Sequence, residues 1–115
     1  MSGKEGYWRI EYVGRTGDSG FGLVAFDTQE VIGCDVGGGI YTGQFQIVDG
    51  GYLDFDVTFK AGEYPIELVQ GKKIQAGHSF WIKGRLPRNV TEKTIIDIET
   101  EFGPIKARVQ KLLSF

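Results

Sequence analysis

The sequence predicts an all-β protein, an eight-stranded antiparallel up-and-down β-barrel in a single domain over residues 1–115. Three observations carry this. The run Leu53-Asp54-Phe55-Asp56-Val57-Thr58-Phe59 alternates without a break, with Leu53, Phe55, Val57 and Phe59 on one side and Asp54, Asp56 and Thr58 on the other. Period-two alternation is the mark of a strand with one buried and one wet face. Glycine is 18 of 115 residues, without period, and falls between short apolar runs where turns and barrel bends belong. No long amphipathic helix pattern occurs. Short strands joined by tight turns leave open edges, and closing the sheet on itself removes them.

The elements follow in chain order. Residues 1 to 5 are polar and form a flexible N-terminus. Tyr7–Val13 is the first strand, with Trp8, Ile10 and Tyr12 on one face and Arg9 and Glu11 on the other. Gly14–Gly20 reads as a loop. Phe21–Asp27 and Val31–Asp35 are the next two strands, joined through Thr28-Gln29-Glu30. Ile40–Val48 is the fourth, with Tyr41, Gly43, Phe45 and Ile47 on one side. Asp49-Gly50-Gly51 then turns the chain into the fifth, Tyr52–Lys60. Ala61–Gly77, broken by Pro65 and Gly71, reads as a long loop with room for one short element around Ile66, Leu68 and Ile74. His78–Leu86 and Lys93–Phe102 are strands six and seven, separated by a turn over Pro87–Glu92. Residues 105–113 fit two patterns: a helix opened by Pro104, or a hairpin strand after Gly103-Pro104. The short link favours the strand.

Charge and cysteine usage narrow the function classes. Thirteen basic and 15 acidic residues give a net charge of −2, with no basic stripe to hold nucleic acid directly. The small basic clusters Lys72-Lys73 and Arg85/Arg88 read as solvated loop charge. There is no apolar leader at the start and no window long enough to span a membrane as a helix, so the expected setting is cytoplasmic, with no membrane partner. Outside a secretory setting, the Asn89-Val90-Thr91 triplet carries no glycosylation signal. Cys34 is alone and reads as a small buried filler.

Catalytic chemistry has little footing. His78 is the single histidine, and Ser79 beside it would point to the opposite face of a strand; no G-x-S-x-G elbow exists. One His and one Cys are too few for a metal site. Asp54 and Asp56 share a strand face at about 7 Å, a spacing compatible with paired carboxylates, but alternation with an apolar row places them on the outer surface. The Gly33–Gly43 stretch lacks the spacing of a phosphate cradle, and Asp35 within it is expected to accept hydrogen bonds from nearby backbone amides. The expectation is therefore no enzyme, no metal and no cofactor.

Gly6-Tyr7-Trp8 at the first strand is similar to the Gly-x-Trp that opens calycin and lipocalin-type barrels. Ile32-Gly33-x-Asp35 followed by Tyr41-x-Gly43, with Gly20 and Gly22 flanking Phe21, resembles a narrower group, the family of GrlR, a bacterial negative regulator of type III secretion genes. The family-motif positions are thus Gly6, Trp8, Gly33, Asp35, Tyr41 and Gly43. The resemblance implies a calycin-like barrel that forms a homodimer and regulates through protein contacts, binding a transcription activator. In that family an acidic Glu-Asp-Glu-Asp segment after the fourth strand is implicated in the contact. The matching turn here is Ile47-Val48-Asp49-Gly50-Gly51, with one carboxylate, so the fold carries over more readily than the partner. In calycins the first-strand Trp packs against an Arg of the last strand, and Arg108 stands where it could stack on Trp8 or simply face solvent.

Two function classes follow: a regulator or adaptor working through its surface, and a carrier or sensor of a small apolar ligand. For the second, Tyr12, Tyr41, Phe45, Phe55 and Phe59 are the expected inward rings, with gaps at Gly22 and Gly43 leaving a modest apolar cavity near Tyr41, Phe45 and Phe55. Leu112 and Phe115 are expected to be covered in a homodimer.

Overall fold

The computed structural model describes residues 5–13, 19–67, 72–87 and 94–115. It is all-β: β1 (Gly6–Val13), β2 (Ser19–Asp27), β3 (Glu30–Asp35), β4 (Ile40–Val48), β5 (Tyr52–Lys60), β6 (Ile66–Glu67), β7 (Lys73–Ile74), β8 (Ser79–Leu86), β9 (Thr94–Thr100) and β10 (Gly103–Ser114). Eight of these strands form a closed antiparallel barrel in the order β1-β10-β9-β8-β5-β4-β3-β2. The first strand and the last close it, with Gly6 opposite Ser114 and Val13 opposite Lys106. The architecture is that of a calycin-like barrel. No helix among the described residues is long and apolar enough to cross a membrane.

Inward residues alternate as the sequence dictates. Leu53, Phe55, Val57 and Phe59 are buried, as are Trp8 and Ile10, Val24 and Phe26, Phe80 and Ile82, Ile96 and Ile98, and Ala107 and Val109. Residues 103–114 are a strand, so the helical alternative at Pro104 is excluded; the strand pairs with both β1 and β9 and closes the barrel, leaving no open sheet edge there. The irregular stretch between β5 and β8 contains a two-residue hairpin, Ile66 opposite Ile74 and Glu67 opposite Lys73, folded against one end of the barrel with Ile74 buried.

The β4–β5 turn uses Gly50 and Gly51 at φ +87° and +83°, backbone angles that explain the glycine pair. The β2–β3 turn reaches the same region without glycine: Thr28 and Gln29 sit at φ 48° and 73°.

Several expectations change. Ile47 follows the inward phase of β4 but is 42% exposed, because the strand is leaving the barrel beside its turn. Cys34 is exposed rather than buried; it lies on the outer side of β3, opposite Leu23 and Ile40. Arg108 lies between the inward Ala107 and Val109, on the face opposite to Trp8, and its guanidinium donates to Glu11 at 2.7 Å. Trp8 instead packs edge-on against Phe26 at 6.0 Å. The expected flexible start before Glu5, most of the Gly14–Gly20 loop, Leu68 and Gly71, and the turn carrying Arg88 and Asn89-Val90-Thr91 lie outside the described residues.

Candidate functional site

Two features stand out from the packed barrel: a cleft at one end and an apolar outer face. The cleft follows from how the inward rings distribute. Trp8, Phe26, Phe45 and Phe55 form one group, with centroid separations of 6.0 Å (Trp8–Phe26), 5.3 Å (Phe26–Phe45) and 6.4 Å (Phe26–Phe55). Tyr41, Phe59, Phe80 and Phe102 form a second chain, stepping 5.0, 5.3 and 5.4 Å. Between the groups lies an apolar void of about 20 Å³, lined by Trp8, Ile10, Tyr12, Tyr41 and Phe55 among others. That is room for about one water.

The gaps expected at Gly22 and Gly43 are filled. A Cβ at Gly22 would meet the Cys34 carbonyl and the Tyr41 ring, and one at Gly43 would meet the backbone of Asp56 and Val57. The glycines let neighbouring strands approach closely, and that approach removes the space their missing side chains suggest.

The open space is instead at the end where the β3–β4 turn, the β6–β7 hairpin and the β9–β10 turn gather. There a cleft of about 320 Å³ is lined by Tyr12, Tyr41 and Phe59, with Phe80, Ile66 and Ile105 completing the apolar wall. Asp35 and Glu67 stand at its edge. Three of the five expected cavity rings line it. Phe45 and Phe55 point inward too, but they border a broad depression of about 830 Å³ with Gln44, Gln46, Asp56 and Lys83. Phe80 and Ile105 were readable from the inward phases of β8 and β10. Ile66 was not, because its stretch has no period.

The polar part of the cleft is a tyrosine pair. The Tyr12 hydroxyl donates to the Tyr41 oxygen at 2.6 Å. Burial pushes both hydroxyls well above the ordinary tyrosine value near 10, and the Asp35 carboxylate acts in the same direction on each. Both are therefore neutral at physiological pH. Thr100 also lines the cleft, but its hydroxyl donates to the Gly103 carbonyl at 2.7 Å and accepts the Phe102 amide at 3.1 Å. It serves the turn.

Asp35 has the structural role its setting suggests. Its Oδ1 accepts the Gly37 and Gly39 amides, each at 3.0 Å, and so fixes the β3–β4 turn at the rim of the cleft. Gly39 is needed there because a Cβ would run into the Phe59 ring. The remaining motif glycines are places of close approach: Gly6 against the Leu113 carbonyl and Gly33 against the Leu23 carbonyl. The six motif positions therefore do not converge on one site. Asp35 and Tyr41 belong to the cleft; Gly6, Trp8, Gly33 and Gly43 shape the barrel wall.

The second feature lies outside. Across β10-β1-β2-β3, outward residues align in rows: Leu113, Tyr7, Ala25 and Ile32 in one, and in the next Gln110 and Arg9 followed by the apolar Leu23, Cys34 and, from β4, Ile40. Phe115 folds back on Tyr7 at 5.1 Å. Ile32 and Leu113 are each 58% exposed, and Phe21 extends the patch along β2. A shallow groove of about 470 Å³ runs through it, bounded by Tyr7, Leu23, Ile32, Cys34 and Phe115, with Asp27 and Glu30 at one edge.

His78 and Ser79 are exposed. Among the described residues no group of three or more His, Cys, Asp or Glu could hold a metal ion. No protein-family model matches the chain, and no curated protein matches it.

Proposed function

We propose that this protein is a non-enzymatic regulator or adaptor that works through protein contacts made by the outer face of β10-β1-β2-β3. The observation that supports this most is the continuous row of apolar side chains, Leu113, Tyr7, Ala25 and Ile32, flanked by Leu23, Cys34 and Ile40. A patch of this kind costs free energy in water until something covers it. A second copy is the simplest cover, because a two-fold axis brings the same apolar rows together. The GrlR-like assignment, with type III secretion genes as the regulated target and a cytoplasmic setting, belongs to this proposal and rests on the Ile32-Gly33-x-Asp35 and Tyr41-x-Gly43 motifs.

Light scattering across a dilution series tests it. The expected result is a mass near twice 12.8 kDa that falls on dilution. Cys34 reports on the same event, since its thiol sits within the patch. Its reaction with a thiol reagent should slow as protein concentration rises. A monomeric mass at millimolar concentration, with Cys34 reactivity independent of concentration, would remove self-association through this face.

A second reading, a carrier or sensor of a small apolar molecule, is favoured by one specific observation. The end cleft of about 320 Å³ is apolar-walled and holds a hydrogen-bonding tyrosine pair, the usual make-up of a ligand site.

A further inference from the structure

The tyrosine pair defines what the end cleft would hold, if the carrier reading is right. Two phenol groups bring two hydroxyl hydrogens. One is used between the oxygens of Tyr12 and Tyr41 at 2.6 Å. No acceptor among the described residues takes the other, although Tyr41 is 3% exposed and both rings line the cleft. A buried hydroxyl hydrogen without an acceptor is costly, and an entering molecule can relieve that cost.

The surroundings set the charge of that molecule. The charged residues lining the cleft are Asp35 and Glu67, both acidic, and no Lys or Arg lines it among the described residues. Lys72 is near, but its ammonium sits over the Phe102 ring at 5.4 Å, one ring behind Phe80 in the wall. A carboxylate entering an apolar cleft past two like charges would lose water and meet no cation among the described lining residues. An ammonium would be drawn to the Asp35 and Glu67 carboxylates at the edge, where Asp35 Oδ1 alone is taken by two amides, but it would offer no acceptor to the hydroxyl, so its binding should not depend on Tyr41.

We propose that the cleft binds an uncharged apolar molecule bearing one hydrogen-bond acceptor, a ketone, ester or ether oxygen, which takes the second hydroxyl hydrogen of the Tyr12–Tyr41 pair. The hydrocarbon part lies against Phe59, Phe80, Ile66 and Ile105.

The test is an NMR titration at pH 8 with four probes: 2-nonanone, nonanoate, nonylammonium and toluene. The expected result is saturable binding of 2-nonanone with shifts at the cleft residues, nonanoate weaker by about ten-fold or more, and any nonylammonium binding unaffected by Tyr41→Phe. Tyr41→Phe should lower 2-nonanone affinity by about five- to ten-fold and leave toluene, which has no comparable acceptor, unchanged. Tyr12→Phe, which leaves the Tyr41 hydrogen free to donate, should keep 2-nonanone affinity within about two-fold, whereas replacing both tyrosines by Phe should lose at least as much as Tyr41→Phe. Ile105→Trp, which fills the cleft, should abolish binding of both 2-nonanone and toluene. Nonanoate binding as tightly as the ketone, or nonylammonium binding that falls with Tyr41→Phe as the ketone's does, would overturn the inference while leaving the carrier reading in place. So would a ketone affinity indifferent to Tyr41→Phe and to the change of both tyrosines, or binding that survives Ile105→Trp. If neither 2-nonanone nor toluene binds up to millimolar concentration, the carrier reading itself fails.

Discussion

The two outer faces of this barrel are built on the same strand geometry but differ in how their central rows are finished. On β5-β8-β9 the central outward positions are charged and matched across strands, with Tyr52, Trp81 and Ile95 around them: Asp54 stands opposite Arg85, Asp56 opposite Lys83, and Lys83 opposite Glu99. Arg85 grips Asp54 with two bonds, at 2.6 and 3.0 Å, and holds its carboxyl below the usual carboxylate range. On β10-β1-β2-β3 one whole row, Leu113, Tyr7, Ala25 and Ile32, is apolar, and charge returns farther along, where Glu11 pairs with Arg9 and Arg108. The inner faces of both halves are equally apolar. The contrast therefore says nothing about how the barrel stands up. It says that one outer face has a complete apolar row left open to water and the other has charge pairs in its place.

The comparison can be tested in order of size. The largest effect should come from inside. Phe55→Ala, on the strand whose outward side is charged, should cost about 3–5 kcal/mol in denaturant unfolding, since the ring is 8% exposed and packs against Phe26. A loss below about 1 kcal/mol would mean that the faces of β5 have been misassigned.

Next come the faces themselves. Ile32→Asp should weaken self-association by about a hundred-fold, read as mass against concentration, while leaving the monomer folded, because an exposed position tolerates charge but a dry interface does not. Lys83→Glu on the other face should leave the mass unchanged. Equal effects of the two would erase the distinction.

The buried tyrosine pair predicts an alkaline limit that neither outer face controls. A tyrosine whose folded value lies above its unfolded one contributes stability fully below about pH 10 and loses it as pH rises beyond. Tyr12 and Tyr41 both lie on that side. Stability should fall by about 1.4 kcal/mol per pH unit for each of the two above that point. Tyr41→Phe should roughly halve the slope, and a flat profile between pH 10 and 12 would contradict their burial.

The smallest effect is expected at the charged face. Asp54→Asn should move the melting temperature by no more than about 2 °C, since exposed pairs contribute little. What change there is should vanish as pH falls through the lowered Asp54 value, where the wild-type carboxyl is protonated as well.

How legible each region was follows from the same contrast. β5 could be read in both senses, strand and face, because Asp54, Asp56 and Thr58 mark the wet side of Leu53, Phe55, Val57 and Phe59. β3 could be read as a strand but not as a face. Val31 and Ile32 are both apolar, and Cys34 among them looked like core although it points outward. Alternation reports the polarity of the outer surface, so it falls silent where that surface is apolar. The cleft was half legible. Tyr12, Tyr41 and Phe59 follow from strand phase, whereas its position at the barrel end depends on Ile66 and on the closeness of backbones at Gly22 and Gly43. Those are tertiary facts with no local signature.

The seam between β1 and β10 also fixes the timing of folding. Gly6–Val13 can pair with β2 as soon as both exist, but its other edge must wait for Gly103–Ser114, roughly a hundred residues later. Until those residues leave the ribosome the sheet is an open ribbon with a raw edge at β1, exposing Trp8 and Ile10 to whatever the nascent chain meets. A translation pause shortly before β10 would prolong that state. A chain released without residues 103–114 would keep most of its strands and still be unable to shut, leaving it a substrate for chaperones and proteases.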